Sequence, residues 1–269
     1  MSDRTHVPAT LPPATRDLPP HPGVTLVEGG ADFSVYAGHA DSVDLCLFDG
    51  EGTERRVPLS ERAHGWWFAF LPDIGIGQRY GLRATGPWDP GQGLRYNEHK
   101  LLLDPYAKGI EGQITWGPEV YGHVVDDQWH GDDEIKSALD SAAVMPRCVV
   151  LDDRFDWGAD HSPRHALSDT VVYAVHVKNA TVAHPGVPEE LRGTYAGLAH
   201  PAMVGHLRDL GVTAVELLPV HAFTSEPELI QRGMHNHWGY NTMGFFAPHA
   251  AYARSPDPQG VLDEFKGMV

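Results

Sequence analysis

The 269-residue sequence predicts an all-β sandwich followed by a parallel α/β arrangement. Three observations carry that prediction. Short alternating segments separated by Gly, Asp and Pro begin at Gly23 and continue to about Thr85. Two apolar runs of strand length, 170–177 and 212–218, flank a helical pattern. Residues 219–258, which follow the second run, show neither helical nor strand periodicity.

The first 22 residues carry Pro8, Pro12, Pro13, Pro19, Pro20 and Pro22 and no apolar core of the secretory kind, so they read as a solvated tail. Strands are expected at 24–27, 32–37, 43–48, 66–71 and 79–84. Turn signals at this spacing suit two packed sheets. In the third of these, alternation sets Cys46 on the face opposite Leu45 and Leu47, and a half-buried structural thiol is expected there. Residues 86–147 lack periodicity and include an acidic run from Asp126 to Glu134, read as an irregular connector with a solvated acidic surface.

Beyond Ser168 the rhythm changes. The run 170–177 is rich in β-branched residues and nearly continuous in apolar character, the mark of a fully buried parallel strand. A helix is expected from Pro201 to Leu210, with proline suited to the first turn and Gly211 placed to end it. With 212–218 as the next buried strand, the whole is a right-handed βαβ unit. Loops leaving the C-terminal ends of such strands line ligand sites, which directs attention to 219–258. A last helix from about Gln259 places Val261, Leu262, Phe265, Met268 and Val269 on one face. Its apolar end, without a polar turn or glycine cap, and the presence of only two βα units lead to the expectation that further units belong to this fold.

Composition narrows the function by exclusion. Twenty Lys and Arg against 36 Asp and Glu give a net charge of -16, which repels phosphate backbones and anionic lipid surfaces. No nucleic-acid or membrane partner is expected. Two cysteines far apart form neither a redox pair nor a metal knuckle, and a reducing cytoplasm is the expected compartment. Seventeen histidines invite a metal. His235 and His237, however, stand one residue apart in a loop, with no Cys or carboxylate to complete a ligand set, so neither metal nor cofactor is expected. Nothing in the sequence sets an oligomeric state.

Several unbroken motifs then carry a resemblance. They are Tyr80-Gly81-Leu82-Arg83 with Gly86-Pro87-Trp88-Asp89-Pro90, and Leu101-Leu102-Leu103-Asp104-Pro105-Tyr106-Ala107-Lys108. Further on come Phe155-Asp156-Trp157, residues 190–195 and 211–220, and Trp238-Gly239-Tyr240-Asn241-Thr242 with Phe245-Phe246-Ala247-Pro248 behind it. Together they resemble the isoamylase-type, glycogen-debranching branch of the α-amylase superfamily, glycoside hydrolase family 13. The resemblance implies an N-terminal immunoglobulin-like sandwich of the carbohydrate-binding module family 48 type, then the first two units of an incomplete (β/α)8 TIM barrel. The expected organisation is a tail over 1–22, the sandwich over 23–110, a connector over 111–168 and the start of the barrel over 169–269.

The same resemblance implies hydrolysis of α-1,6 branch linkages in glycogen by a retaining mechanism, with a carboxylate nucleophile and a carboxylic acid about 5 Å apart. The implied partner is glycogen or another α-glucan. In such enzymes the nucleophile, the acid and a supporting carboxylate follow the fourth, fifth and seventh strands. No catalytic residue is therefore expected in this chain, and the chain alone is expected to be inactive. Glu216, inside the second parallel strand, lacks a partner carboxylate and reads as a structural, hydrogen-bonded residue.

Tyr240 is the foremost candidate for substrate contact, since a ring at the mouth of a barrel can lie on the apolar face of a glucose unit. The alternative is a core aromatic packing on Pro219 and Phe246. Trp238 and Asn241 are added as neighbours, and His176, at the end of the first parallel strand, as either a pocket edge or a satisfied buried imidazole. Trp66, Trp67 and Trp88 are possible stacking residues on the sandwich, which keeps a non-catalytic glycan-binding protein open as a second reading. A branching transferase or a trehalose-forming relative is a third, because specificity in these enzymes resides in later loops. The sequence also departs from the family pattern, which favours an acidic residue at 174, a Gly-Phe-Thr or Gly-Leu-Thr turn where Asn179 and Ala180 precede Thr181, and a tyrosine at 237. Here those positions hold Ala174, Asn179, Ala180 and His237.

Overall fold

The computed structural model describes residues 19–126 and 130–269, so most of the proline-rich tail lies outside the described residues. The chain divides into two compact units, Met1–Asp104 with Pro118–Ala142, and Pro105–Gly117 with Ala143–Val269. The stretch read as one connector is thus shared between the two.

In the first unit, strands β1 (Gly23–Val27), β2 (Gly30–Tyr36), β3 (Ser42–Phe48), β4 (Glu54–Pro58), β5 (Glu61–Ala63), β6 (Trp66–Pro72) and β7 (Arg79–Thr85) form two antiparallel layers. One runs β1-β2-β6-β5, and β7-β3-β4 belong to the other. Phe33, Leu45, Tyr80 and Leu82 are buried, with the Phe33 and Tyr80 rings meeting edge to face at 5.3 Å. The five expected strands are present. β4 and β5 escape the hydrophobic pattern because their sequences, Glu-Arg-Arg-Val-Pro and Glu-Arg-Ala, are mostly charged. The two-residue turn between β5 and β6 places His64 at φ 51° and Gly65 at φ 83°, the paired positive angles of a type I′ hairpin.

The exposure expected for Cys46 is corrected: the thiol is fully buried. Its face of β3 is not open to water, because Arg83 and Glu54 lie over it. Arg83, 1% exposed, donates two bonds to the Glu54 carboxylate at 2.8 and 2.7 Å, one to Asp140 at 2.9 Å and one to the Glu98 carbonyl at 3.1 Å. Burial works against the Glu54 charge, but bonds from Arg83, Cys46 and Arg56 prevail and hold its carboxyl below the usual range. Burial, then the Glu54 bond, pushes the Cys46 thiol up to about 12.

The second unit contains α1 (Val177–Thr181), α2 (Tyr195–Leu198), α3 (Pro201–Asp209), α4 (Pro227–Gln231) and α5 (Pro258–Met268). Their starts follow from capping chemistry. Thr194 accepts from the Gly197 amide, the His200 imidazole from Ala202, and Asp257 from Gly260, with Pro201 and Pro258 in the first turns of α3 and α5. Gly211, at φ 77°, follows α3 as expected. Val177, Val187, Tyr195, Leu198, Met203, Leu207, Phe223 and Tyr252 form the core, with Phe265 and Met268 of α5 against it. Val269 does not join that face and is exposed.

Two strands, Val172–Val175 and Ala214–Leu217, pair in parallel, with Val172 opposite Ala214 and Val175 opposite Leu217. The expectation that both runs are fully buried is corrected. Val172 is 56% exposed, Tyr173 and Val215 are also exposed, and only the Val175 end is covered, because the core packs against that end alone. The loop after the second strand is not structureless either. His221–Phe223 pairs antiparallel with Thr242–Pro248, and α4 lies between them. Among the described residues no helix is long and apolar enough to cross a membrane.

Candidate functional site

The first parallel strand ends at Val175, and the next residue caps α1. His176 is buried, and its Nδ1 accepts a bond from the Asn179 amide at 3.3 Å. Acceptance at Nδ1 puts the ring proton on Nε2. That N–H then donates to the His237 carbonyl at 2.8 Å and lies 3.0 Å from the Tyr252 hydroxyl. This satisfied imidazole also lines an open pocket with Lys178, Phe223, His235, His237 and Tyr252.

The His237 ring lies parallel to His176, with centroids 4.4 Å apart and planes 4° from coincident. Its Nε2 is 3.1 Å from Asn179 Nδ2. Asn179 and His237, two of the positions that depart from the family pattern, thus touch each other. Burial, then the nearby His176 and Lys178, hold the His237 imidazole below its ordinary value.

The loop beyond His237 is fixed by its backbone. The Asn236 side-chain oxygen accepts from the Gly239 amide at 2.8 Å, while its amide group bonds Glu226 at 2.9 Å. Gly239 has φ 80°, and a Cβ there would come within 2.9 Å of the Phe223 ring and 3.1 Å of Pro219. The flanking aromatics project from this constrained turn. Trp238 is exposed and meets His176 edge to face at 6.3 Å. Tyr240 is 73% exposed, so it does not occupy the core position weighed as its alternative, and Phe246 stacks instead on Tyr106 at 5.3 Å. Asn241 contributes its carbonyl, which accepts from the Thr224 amide at 3.0 Å.

His176 and Trp238 are thus brought together, whereas Tyr240 stands clear of the pocket that His176 lines. Glu216 is exposed, and its pairing among the described residues is that of the strand backbone, so its carboxylate does not take the hydrogen-bonded structural role expected for it. Sequence reasoning missed Tyr252 and His249. The His249 ring stacks on Phe223 at 3.6 Å, and its carbonyl accepts from the buried Tyr195 hydroxyl at 3.0 Å. Burial pulls the His249 imidazole down to about 4. Only their place in the long loop hinted at either residue.

A carbohydrate-binding sandwich is the class that the first unit defines, because residues 20–107 match Carbohydrate-binding module 48 (Isoamylase N-terminal domain). Over 92% of its length the chain is 47% identical to the Glycogen operon protein GlgX homolog of Mycobacterium tuberculosis. Over 95% it is 45% identical to the Glycogen debranching enzyme of Salmonella typhi. The chain belongs to the isoamylase-type, glycogen-debranching family. It spans 34% and 37% of the length of those two relatives. Its fold is similar to the pullulanase of Anoxybacillus sp. LM18-11 complexed with maltotetraose, with a TM-score of 0.64 and 24% identity over 93% of this chain and 32% of that one. The pullulanase of Bacillus acidopullulyticus gives 0.66 and 22%, over 96% of this chain and 28% of its own.

Proposed function

We propose that this chain is the glucan-binding and barrel-opening portion of a cytoplasmic hydrolase that cleaves α-1,6 branch linkages in glycogen. The exposed Trp238-Gly239-Tyr240 turn, held against the end of the first parallel strand, is the observation that carries the reading. A pyranose ring has flat apolar faces and a polar rim, and an exposed ring on a rigid turn suits it. Tyr240 stacks on the sugar, Trp238 walls it, and Asn241 and His176 keep the turn in place. The two parallel strands are the first two of a (β/α)8 barrel, over 169–269. The nucleophile and the acid of a retaining mechanism belong to later strands, so this chain binds glucan and cleaves nothing by itself.

Maltoheptaose titration of the 269-residue protein, run beside a limit-dextrin hydrolysis assay, tests this reading. The expected result is saturable binding, weakened about tenfold by Tyr240→Ala, with no release of linear chains. Release of chains by the purified protein, or binding untouched by Tyr240→Ala and Trp238→Ala, overturns it.

The contact between Asn179 and His237 favours a second reading, a non-catalytic glycan-binding protein. Two substituted positions that accommodate each other mark a site kept for binding after the family pattern has gone. Restoring a Gly-Phe turn at 179–180 and a tyrosine at 237 leaves maltoheptaose affinity unchanged if the site works for hydrolysis as it stands, and lowers it if the pair was remodelled for binding.

A further inference from the structure

We propose that the open pocket beside His176 binds a sugar phosphate, with the phosphate monoester held by Lys178, His235 and His237. The pocket lies wholly within the second unit, and Tyr240 is not among the residues that line it. The proposal therefore does not depend on the glucan platform argued above.

The chain carries 36 acidic residues against 20 Lys and Arg, yet no Asp or Glu lines this pocket. One lysine and four histidines do. Two of the histidines are spoken for. His176 is buried with both ring nitrogens bonded, and His249 is buried against the Phe223 ring. Lys178, His235 and His237 remain, all three exposed, and none of them meets a carboxylate among the described residues. Glu226 lies outside the lining, and its oxygens are taken by the Asn236 amide at 2.9 and 3.2 Å. Basic groups gathered without a counter-ion repel one another, and an anion placed among them removes that cost. The repulsion is visible at His237, where His176 and Lys178 add to burial in opposing a second proton.

The two departures from the family pattern equip this ring for an anion. The Asn179 Nδ2 has only hydrogens to give, so at 3.1 Å the His237 Nε2 accepts and the ring proton sits on Nδ1. That N–H is a donor with no partner among the described residues. When the ring takes a second proton, a half-turn of the Asn179 amide presents its oxygen to Nε2. Asn179 thus serves the neutral ring and the imidazolium alike. A glycine at 179 and a tyrosine at 237 would supply neither form.

A phosphate monoester suits these groups better than a carboxylate does. It carries three acceptor oxygens and gains its second charge near pH 6, in the range where imidazole titrates, so one ammonium and two imidazoles can match it. The cavity measures about 640 Å³, far more than a phosphate fills and within the range of roughly 300 to 1,000 Å³ for small-molecule sites. A sugar ring has room to enter with its phosphate. Phe223 and Tyr252 give it an aromatic wall, and Gln113 offers an amide to its hydroxyls.

The test titrates the intact chain with glucose 6-phosphate, inorganic phosphate and glucose by calorimetry at about pH 7 and low salt. Glucose 6-phosphate is expected to bind at least about tenfold more tightly than either of the others. Lys178→Met and His237→Phe are each expected to weaken it about tenfold while leaving maltoheptaose binding within about twofold. Lys178 is exposed and His237→Phe keeps a ring over His176, so both variants preserve the packing. NMR of the unmutated chain gives a second readout, in which saturating glucose 6-phosphate raises the titration midpoint of the His237 ring. A maltoheptaose bearing one phosphate monoester separates the sources: competition supports the site with a phosphorylated glucan as occupant, and failure to compete supports it with the free hexose phosphate. No binding of glucose 6-phosphate, binding no tighter than that of inorganic phosphate, affinity untouched by both variants, or an unmoved His237 midpoint each overturns the proposal and leaves the Tyr240 site standing.

Discussion

The imidazole rings of His176 and His237 lie face to face, 4.4 Å apart and within 4° of parallel. This stack joins the N-cap of α1 to the turn that carries Trp238 and Tyr240. The His176 Nε2 bond goes to the His237 backbone carbonyl, so the ring of His237 can be removed without touching it. His237→Ala therefore removes the stack together with the Asn179 contact, about 1 kcal/mol in all. Maltoheptaose binding is expected to weaken about fivefold in that variant. His237→Tyr keeps an aromatic face over His176 and is expected to bind within about twofold of the unmutated chain, as calorimetry on the three proteins will show.

Gly239 tests the turn from its other side. A side chain there must adopt φ near 80° and displace the Phe223 ring and Pro219. Gly239→Ala is expected to cost about 2 kcal/mol of stability, measured by urea unfolding, and to weaken glucan binding with it.

The Arg83 guanidinium holds the outer face of β3 closed through Glu54 and Asp140. Arg83→Ala leaves the Glu54 carboxylate to Arg56 and the Cys46 thiol and takes the buried guanidinium from between Glu54 and Asp140, and a loss of about 3 kcal/mol is expected. The thiol reports the change directly. In the unmutated protein Cys46, pushed up to about 12, is expected to resist a disulfide reagent until the chain unfolds, whereas Arg83→Ala is expected to expose it under native conditions.

Stability of the second unit follows the pH through His249. Burial holds its folded value near about 4, below the ordinary 6.5, so the unfolded chain takes up a proton in that interval that the folded chain refuses. The unfolding free energy thus rises with pH from about 4 to 6.5 and is fully present above, with about 3 kcal/mol at stake. His237 adds in the same direction. Paired carboxylates such as Glu54 and Asp153 act below about 4.5, a separate window. Urea midpoints at pH 7 and pH 5 are expected to differ in the unmutated chain and to converge in His249→Phe.

The sandwich was legible because its strands alternate cleanly, and α3 because Pro201 and Gly211 bracket it. β4 stayed hidden because its partner is a charge: Glu54 is held by Arg83, a contact 29 residues away that no local pattern reveals. The exposure of Val172 and Val215 was illegible for a related reason, since apolar character says what a strand would bury and not what covers it. The motif around Tyr240 and Trp238 marked a turn on which both rings stand exposed. The stacking of His237 on His176 and the burial of His249 depend on long-range packing that spacing does not encode.

The most direct measurement of the central claim replaces the corresponding residues of the Salmonella typhi glycogen debranching enzyme with residues 23–269 of this chain and follows release of linear chains from glycogen limit dextrin. The expected result is α-1,6 hydrolysis within about tenfold of the recipient enzyme, cut about a hundredfold by Tyr240→Ala at this chain's position. A folded chimera that binds maltoheptaose and releases no chains would contradict the claim.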